Sequence, residues 1–135
     1  MSRENVEVVL AAYRALNDRD REAAHILLHP DVEWHPSLGG LLSRPVYRGA
    51  QAVVEMALDE IPSLLEGFHV EAVEARGAGT DTVITKARFA ARAKASGVPV
   101  EQVFFQVYRV REQQIASMHS YTTEAEALEA VGLQE

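Results

Sequence analysis

The sequence predicts an α+β domain in which three helices precede an antiparallel sheet. Apolar residues recur every three or four positions up to Ile61 and at every second position from Phe68 onward. These are the periods of an amphipathic helix and of a half-buried strand. The 135 residues include no cysteine and are enough for one hydrophobic core without disulfides. We therefore expect a single domain, residues 1–135, with helices packed against a sheet.

Three helices are predicted in the first half of the chain. The apolar stripe of the first is Val6, Val9, Leu10, Tyr13 and Leu16. The stripe of the second is Ala23, Ala24, Leu27 and Leu28. Asp20 suits the N-cap of the second helix, and Pro30 ends it by restricting the residue before it. The third helix begins at Gly49, and Pro62 ends or bends it.

Five strands and a short C-terminal helix complete the prediction. The strands are residues 31–35, 68–75, 83–92, 100–110 and 115–122. Residues 37–48 form a loop whose length is more typical of a lid or binding loop than of a spacer. Thr123 and Glu126 form a capping box for the last helix, which Gly132 closes. Helices packed on one curled sheet would form a cone with a cavity at its open end.

Composition excludes several classes of function. The absence of cysteine rules out thiolate nucleophiles, iron–sulfur clusters and cysteine-ligated zinc. The net charge of −7, from 13 basic and 20 acidic residues, disfavours nucleic acid and anionic membranes as partners. No apolar run approaches the roughly 20 residues of a membrane span, and residues 1–5 lack the apolar stretch of a signal peptide. A cytoplasmic location is therefore expected.

Neither a metal nor another cofactor is expected. His25 and His29 have the i, i+4 spacing of two ligands on a helix, but Ile26 replaces the glutamate of the H-E-x-x-H motif, and the sequence offers no third ligand. No glycine-rich phosphate loop occurs.

Several segments, taken in order, resemble one known family. They are Asn5–Asn17, Asp20–Ala24, D-V-E-W-H-P at 31–36, V-Y-R-G at 46–49, the strand meander, and E-A-L-E-A-V-G-L at 126–133. Together they resemble the SnoaL-like branch of the NTF2-like superfamily over nearly the whole chain. The resemblance implies a cone-shaped fold with a central cavity and a homodimer that forms through the sheet face. Relatives often have glycine where Arg19 stands, which implies that the turn there is strained or has a different shape.

A comparison with ketosteroid isomerase, a member of the same superfamily, assigns candidate roles. Tyr13 matches its oxyanion-binding tyrosine, and His35 stands where it has the aspartate base. Its second oxyanion donor falls on Phe105, and its supporting tyrosine falls on Ala57. Two of the four polar positions are therefore lost, and the resemblance does not predict steroid isomerisation by the same residues.

The candidate catalytic residues follow from this comparison and from side-chain chemistry. His35 would be a general base, since a histidine with an ordinary pKa is largely neutral at pH 7. Glu33, two residues earlier on the same strand face, would orient it. Tyr13 or His119 would stabilise a developing oxyanion. The alternatives are a rim or core histidine at 35, a surface salt bridge at Glu33 and a core tyrosine at 13.

The candidate pocket residues are Trp34, Phe89, Phe105, Arg109 and Tyr121. Trp34 would otherwise anchor the core or an interface, and Arg109 would otherwise form a charge pair. Strand 100–110 places Gln102, Phe104, Gln106 and Tyr108 on one face and Val103, Phe105, Val107 and Arg109 on the other. The sequence does not determine which face is concave. The resemblance to ketosteroid isomerase implies that Phe105 points towards the pocket and that the other face of the strand forms a dimer interface.

Two functions from different classes remain open. The first is an isomerase, cyclase or dehydratase without a cofactor, which removes a proton next to a carbonyl of a small polyketide-, steroid- or terpenoid-like molecule. The second is a non-catalytic module for ligand binding or dimerisation. A structure with His35 and Glu33 facing the cavity would count against the second function. A structure with His35 turned away from the cavity would favour it.

Overall fold

A six-stranded sheet carries the helices. The computed structural model describes residues 2–37 and 41–132. The strands are β1 (Leu28–His35), β2 (Tyr47–Arg48), β3 (Leu65–Ala78), β4 (Thr82–Ala93), β5 (Pro99–Arg111) and β6 (Gln114–Tyr121). Their order in the sheet is β2-β1-β6-β5-β4-β3. The helices are α1 (Ser2–Asn17), α2 (Arg21–Ile26), α3 (Ala50–Glu55), α4 (Ile61–Leu64) and α5 (Glu124–Ala130), with a π-helical turn (Met56–Glu60) between α3 and α4. The predicted α+β class is confirmed.

The sheet is mainly antiparallel, and only β1 and β6 run parallel. The register shifts once between β1 and β6, twice between β3 and β4 and once between β5 and β6. Such irregularities bend a strand and increase its twist. The sheet therefore has a concave and a convex face, and side chains alternate between them along each strand.

The turn between α1 and α2 explains how arginine replaces glycine at position 19. Arg19 has a φ of 57°, in the left-handed region that favours glycine. Its guanidinium donates to the carbonyl oxygens of Leu16 and Phe68 at 2.7 Å each and lies 3.8 Å from the centroid of the Phe68 ring. These contacts join the end of α1 to β3 and offset the backbone strain.

Several predicted boundaries were wrong: β3 extends three residues beyond the predicted strand at each end, and Tyr47–Arg48, placed in the predicted loop, form β2 against β1. The second helix ends at Ile26, and β1 begins at Leu28, three residues before the predicted strand. The reason is tertiary, because Leu28 pairs with Ile115 on β6 and the Leu27 carbonyl accepts a hydrogen bond from the Ile115 amide. The capping of the second helix by Asp20 is confirmed, with the Ala23 amide 3.1 Å from the Asp20 carboxylate.

The third helical segment continues past Pro62 rather than ending there. The π-helical turn precedes Pro62, which lies in the first turn of α4. A proline is tolerated at that position because its missing N–H needs no partner there. The π-helical turn keeps residues 50–64 as one helical stretch, and this stretch covers the open side of the sheet.

The turn between β5 and β6 and the cap of the last helix agree with the predictions from the sequence. Glu112 and Gln113 both have positive φ angles, 53° and 64°, in the turn between β5 and β6, as the twist of a tight hairpin requires. The Glu126 amide donates to the Thr123 hydroxyl at 3.2 Å, which confirms the predicted cap of α5. Residues 38–40 of the predicted loop lie outside the described residues.

The main core lies between the concave face, α1 and the segment 50–64. Val9, Val32, Val83 and Ile115 are fully buried there. α5 contacts β5 and β6. Within residues 2–37 and 41–132, no helix has both the length and the apolar character needed to cross a membrane.

Candidate functional site

A cavity with two adjoining compartments lies between the helices and the concave face. One, the tyrosine compartment, measures about 90 Å³ and contains Tyr13 and Tyr108 in its wall. The other, the serine compartment, measures about 80 Å³ and contains Ser37 and Ser120. Five residues line both: Leu16, Trp34, Ala57, Val70 and Gln106. Every described lining residue is uncharged at neutral pH, so the cavity suits a neutral molecule.

The polar groups of the tyrosine compartment form one hydrogen-bonded cluster. The Tyr13 hydroxyl donates to Oε1 of Gln106, and the Tyr108 hydroxyl donates to the same oxygen at 2.8 Å. The Thr85 hydroxyl lies 2.9 Å from the Tyr13 hydroxyl. Burial raises the pKa of Tyr13, partly offset by hydrogen bonds to Thr85 and Tyr108, and burial raises the pKa of Tyr108 well above its ordinary value. Both tyrosines are therefore protonated donors at neutral pH.

Trp34 stands where the two compartments meet. Its ring meets Tyr108 edge to face with centroids 5.9 Å apart, an arrangement that aromatic pairs favour. In the serine compartment, the Ser37 hydroxyl donates to the Ser120 hydroxyl at 2.8 Å. Because Trp34 is the only tryptophan of the chain, its indole is a unique reporter of whatever enters the cavity.

The carboxylate of Glu60 connects the segment after residue 40 to the helices through hydrogen bonds. Glu60, at the end of the π-helical turn, accepts from the Ser43 amide at 2.6 Å and from the Tyr47 hydroxyl at 2.7 Å. Burial alone would raise the pKa of Glu60, but the hydrogen bonds from Tyr47 and Ser43 lower it below the ordinary value. The stability that this connection adds is therefore present above the ordinary carboxyl pKa and lost as the pH falls through the lowered value.

Three of the residues predicted for catalysis, His35, His119 and Glu33, meet on the opposite, convex face. The rings of His35 and His119 stack with centroids 3.9 Å apart and planes 14° from parallel. Nε2 of His35 lies 3.4 Å from Oε1 of Glu33, whose other oxygen is 3.6 Å from Arg48. Hydrogen bonding to His35 and the charge of Arg48 lower the pKa of Glu33, and desolvation followed by the charge of His35 lowers that of His119.

The structure therefore reverses the strand facing that the resemblance implied for β1 and β5, and it selects one face of β6, where the sequence left both faces open. Trp34, not His35, lines the cavity, and Met118 and Ser120 line it instead of His119 and Tyr121. The reason is parity, because neighbours on a strand point to opposite faces. The catalytic roles of His35, Glu33 and His119 stay predictions, which this orientation does not favour.

On β5, too, the face that lines the cavity is the opposite of the one that the resemblance implied. Phe104, Gln106 and Tyr108 line the cavity, whereas Phe105 lines an open groove beside Glu124. Arg109 lies 3.7 Å from Asp81, the charge pair that the sequence left open as an alternative. Three predicted residues do line the cavity: Tyr13, Trp34 and Phe89. Sequence reasoning missed Gln106, Tyr108, Thr85, Ser37 and Ser120, although it had placed Gln106 and Tyr108 together on one face of β5.

The described residues offer little for a metal. No group of three His, Cys, Asp or Glu side chains within residues 2–37 and 41–132 is placed to hold an ion. His25 and His29 belong to different elements, α2 and β1, and Nδ1 of His29 accepts a hydrogen bond from the Asp31 amide at 3.0 Å.

The helices, the curled sheet and the uncharged cavity define a cone-shaped α+β protein with an internal cavity. The sequence profile of the SnoaL-like domain matches residues 9–118. The chain thus belongs to the SnoaL-like family. None of the curated proteins matches its sequence.

Solved structures share the fold over almost the whole chain. TerC, co-crystallised with polyporic acid, is 25% identical, with 93% of this chain and 96% of TerC covered and a TM-score of 0.75. RV0760c from Mycobacterium tuberculosis, in complex with estradiol-17beta-hemisuccinate, is 19% identical, with 92% and 96% covered and a TM-score of 0.76. An LEH-like epoxide hydrolase of M. tuberculosis is 20% identical, with 90% and 84% covered and a TM-score of 0.72.

Proposed function

We propose that this protein is a binding module for a small, neutral and mostly apolar molecule, which it holds in the two-compartment cavity. The observation that carries the proposal is the uncharged lining: among the described residues that form it, hydroxyl and amide groups are the only polar side-chain groups besides the indole of Trp34. Together the two adjoining compartments are comparable in volume with the roughly 150 Å³ cavity that holds a benzene molecule, so we expect a ligand with one ring, or with one group in each compartment. The organic molecules bound in TerC and RV0760c support the use of this fold to hold small organic ligands.

The first test measures binding of benzene and benzoate to the wild-type protein. Burying six carbons at about 0.8 kcal/mol each predicts a Kd of about 0.1–1 mM for benzene. Benzoate should not bind measurably, since its charge would have no partner in the lining. The indole N–H signal of Trp34 in ¹H–¹⁵N correlation spectra reports both titrations. An unchanged Trp34 signal at saturating benzene, or equal binding of benzoate, would contradict the proposal.

The second candidate is proton abstraction next to a carbonyl, and Tyr13 favours it because its protonated hydroxyl belongs to the cavity wall. With His35 turned to the convex face, the binding role has the stronger support. Hydrogen–deuterium exchange at the α-carbons of cyclohexanone in D₂O separates the two candidates. For a binding module, ¹H NMR should show the exchange rate of buffer alone. Accelerated exchange that Tyr13→Phe abolishes would establish the catalytic alternative.

We also propose that two copies associate through the convex face. Val103 on that face is 41% exposed, and the half-buried rings of Phe105 and Tyr121 are paired neighbours there. An exposed apolar patch of this kind is better covered than solvated. Light scattering after size exclusion should give twice the chain mass at micromolar concentration, and Val103→Glu should halve it. Val98→Glu, at an exposed position between β4 and β5, is the matched control, and a monomeric wild type would refute the dimer.

A further inference from the structure

One oxygen atom receives both tyrosine protons in the cavity. Oε1 of Gln106 accepts from the hydroxyls of Tyr13 and Tyr108. A carbonyl oxygen has two lone pairs, so these two bonds use its full capacity. The Gln106 oxygen is therefore occupied before any ligand arrives.

The other end of the same amide is the part that a ligand can reach. The side-chain hydrogen bonds that Gln106 makes with other described residues both involve Oε1. No fully buried side-chain nitrogen or oxygen in that part of the chain lacks a partner, so Nε2 is not sealed away by protein atoms. Gln106 lines both compartments, which leaves its two N–H bonds available to the cavity.

We propose that Gln106 is the residue that selects the ligand, by presenting an N–H donor that only a hydrogen-bond acceptor can satisfy. The inference rests on the proposed binding function and narrows its ligand class to molecules with an exposed acceptor, such as a ketone, a lactone, an epoxide or an aromatic nitrogen. Tyr13 and Tyr108 are positioning residues, because their protons fix which end of the amide faces them.

Because both tyrosines stay protonated, the Gln106 amide keeps the same orientation throughout the neutral pH range. Both hydroxyls are buried with a raised pKa, so they stay donors throughout the neutral range. Two donors on one carbonyl also polarise the amide and strengthen the N–H as a donor. A ligand that carries only a hydrogen-bond donor could not pair with the N–H of Gln106, since both groups are donors. The ligand's donor and the Gln106 N–H would then both lack a partner, which is costly in an apolar site.

Three ring molecules of similar size test the inference by the Trp34 indole signal at pH 7.5. Benzene has no strong hydrogen-bonding group, pyridine has only an acceptor and pyrrole has only a donor. In Gln106→Met, the Kd of pyridine should rise about 3- to 10-fold relative to that of benzene, the loss expected for one hydrogen bond. The Kd of pyrrole relative to benzene should not rise. Gln102→Met, on the same face of β5 but exposed and outside the cavity lining, should leave all three ratios unchanged.

A second variant keeps the test decisive if Gln106→Met does not fold. In Gln106→Leu, the N–H donor is likewise removed and no charge enters the cavity, so pyridine should weaken in the same way. An unchanged pyridine-to-benzene ratio in the folded variant, or a loss confined to pyrrole, would overturn the selection by Gln106 while leaving the binding function intact. Failure of benzene and pyridine alike to bind the wild type would overturn the binding function and this inference with it.

Discussion

Replacing Tyr108 by alanine is expected to lower the free energy of unfolding by about 3–5 kcal/mol, the range for removing a large aromatic side chain from a core. Tyr108 is 2% exposed and packs against Tyr13 and Trp34, with ring centroids 6.2 Å and 5.9 Å away. Its loss also removes one of the two donors to Gln106. Urea unfolding followed by Trp34 fluorescence measures the change.

The space left by this substitution should accept a molecule shaped like the missing side chain. We expect p-cresol to raise the unfolding midpoint of Tyr108→Ala, because its ring fills the gap and its hydroxyl can donate to Gln106. Ile115→Ala is the matched control: Ile115 is fully buried but is not among the described residues that line either compartment. That variant should lose about 2–5 kcal/mol and gain nothing from p-cresol. Equal rescue of both variants would show that the effect is not specific to the cavity.

Filling the cavity at Ala57 is expected to abolish ligand binding. Ala57 lines both compartments, so the ring of Ala57→Phe would occupy space that a bound benzene needs. We expect the Kd of benzene to rise more than 10-fold, with a cost in stability of about 1–3 kcal/mol from overpacking. The Trp34 indole signal used for the wild type measures this loss.

A matched control separates a blocked cavity from a general effect of an added ring. Ala125 is exposed on α5, and Ala125→Phe should bind benzene as the wild type does. If a folded Ala57→Phe variant still bound benzene with an unchanged Kd, the ligand site would have to lie elsewhere, and the proposed function would be refuted in its present form.

The sequence alone predicted correctly those features of the structure that depend only on residues close together in the chain. The caps at Asp20 and Thr123, the tight turn after β5 and the strands from β3 to β6 were predicted because capping, turn chemistry and period-2 alternation act over a few residues. The end of the second helix was missed because a partner nearly 90 residues away decides it, through the pairing of Leu28 with Ile115.

The cavity could be predicted only in part. Tyr13 was recognised from the apolar stripe of α1 and from the family resemblance. Its partners were not, because Thr85 and Gln106 lie 72 and 93 residues further along the chain. No spacing rule links positions so distant, and only the pairing of β4 with β5 brings those two together beside α1.

The sequence by itself determined the class of fold, the order of its elements and the pairs of alternating residues on each strand. It also excluded thiol chemistry, because the chain has no cysteine. Only the tertiary structure decided which member of each pair faces the cavity, and so whether His35 or Trp34 belongs to the site. The reason is that alternation is a local property, whereas the face that becomes concave depends on how the whole sheet curls under α1 and the segment 50–64. Exchanging the two faces of a strand decides whether ionisable side chains or uncharged, hydrogen-bonded side chains line the cavity. The function that we propose depends on which of the two sets does.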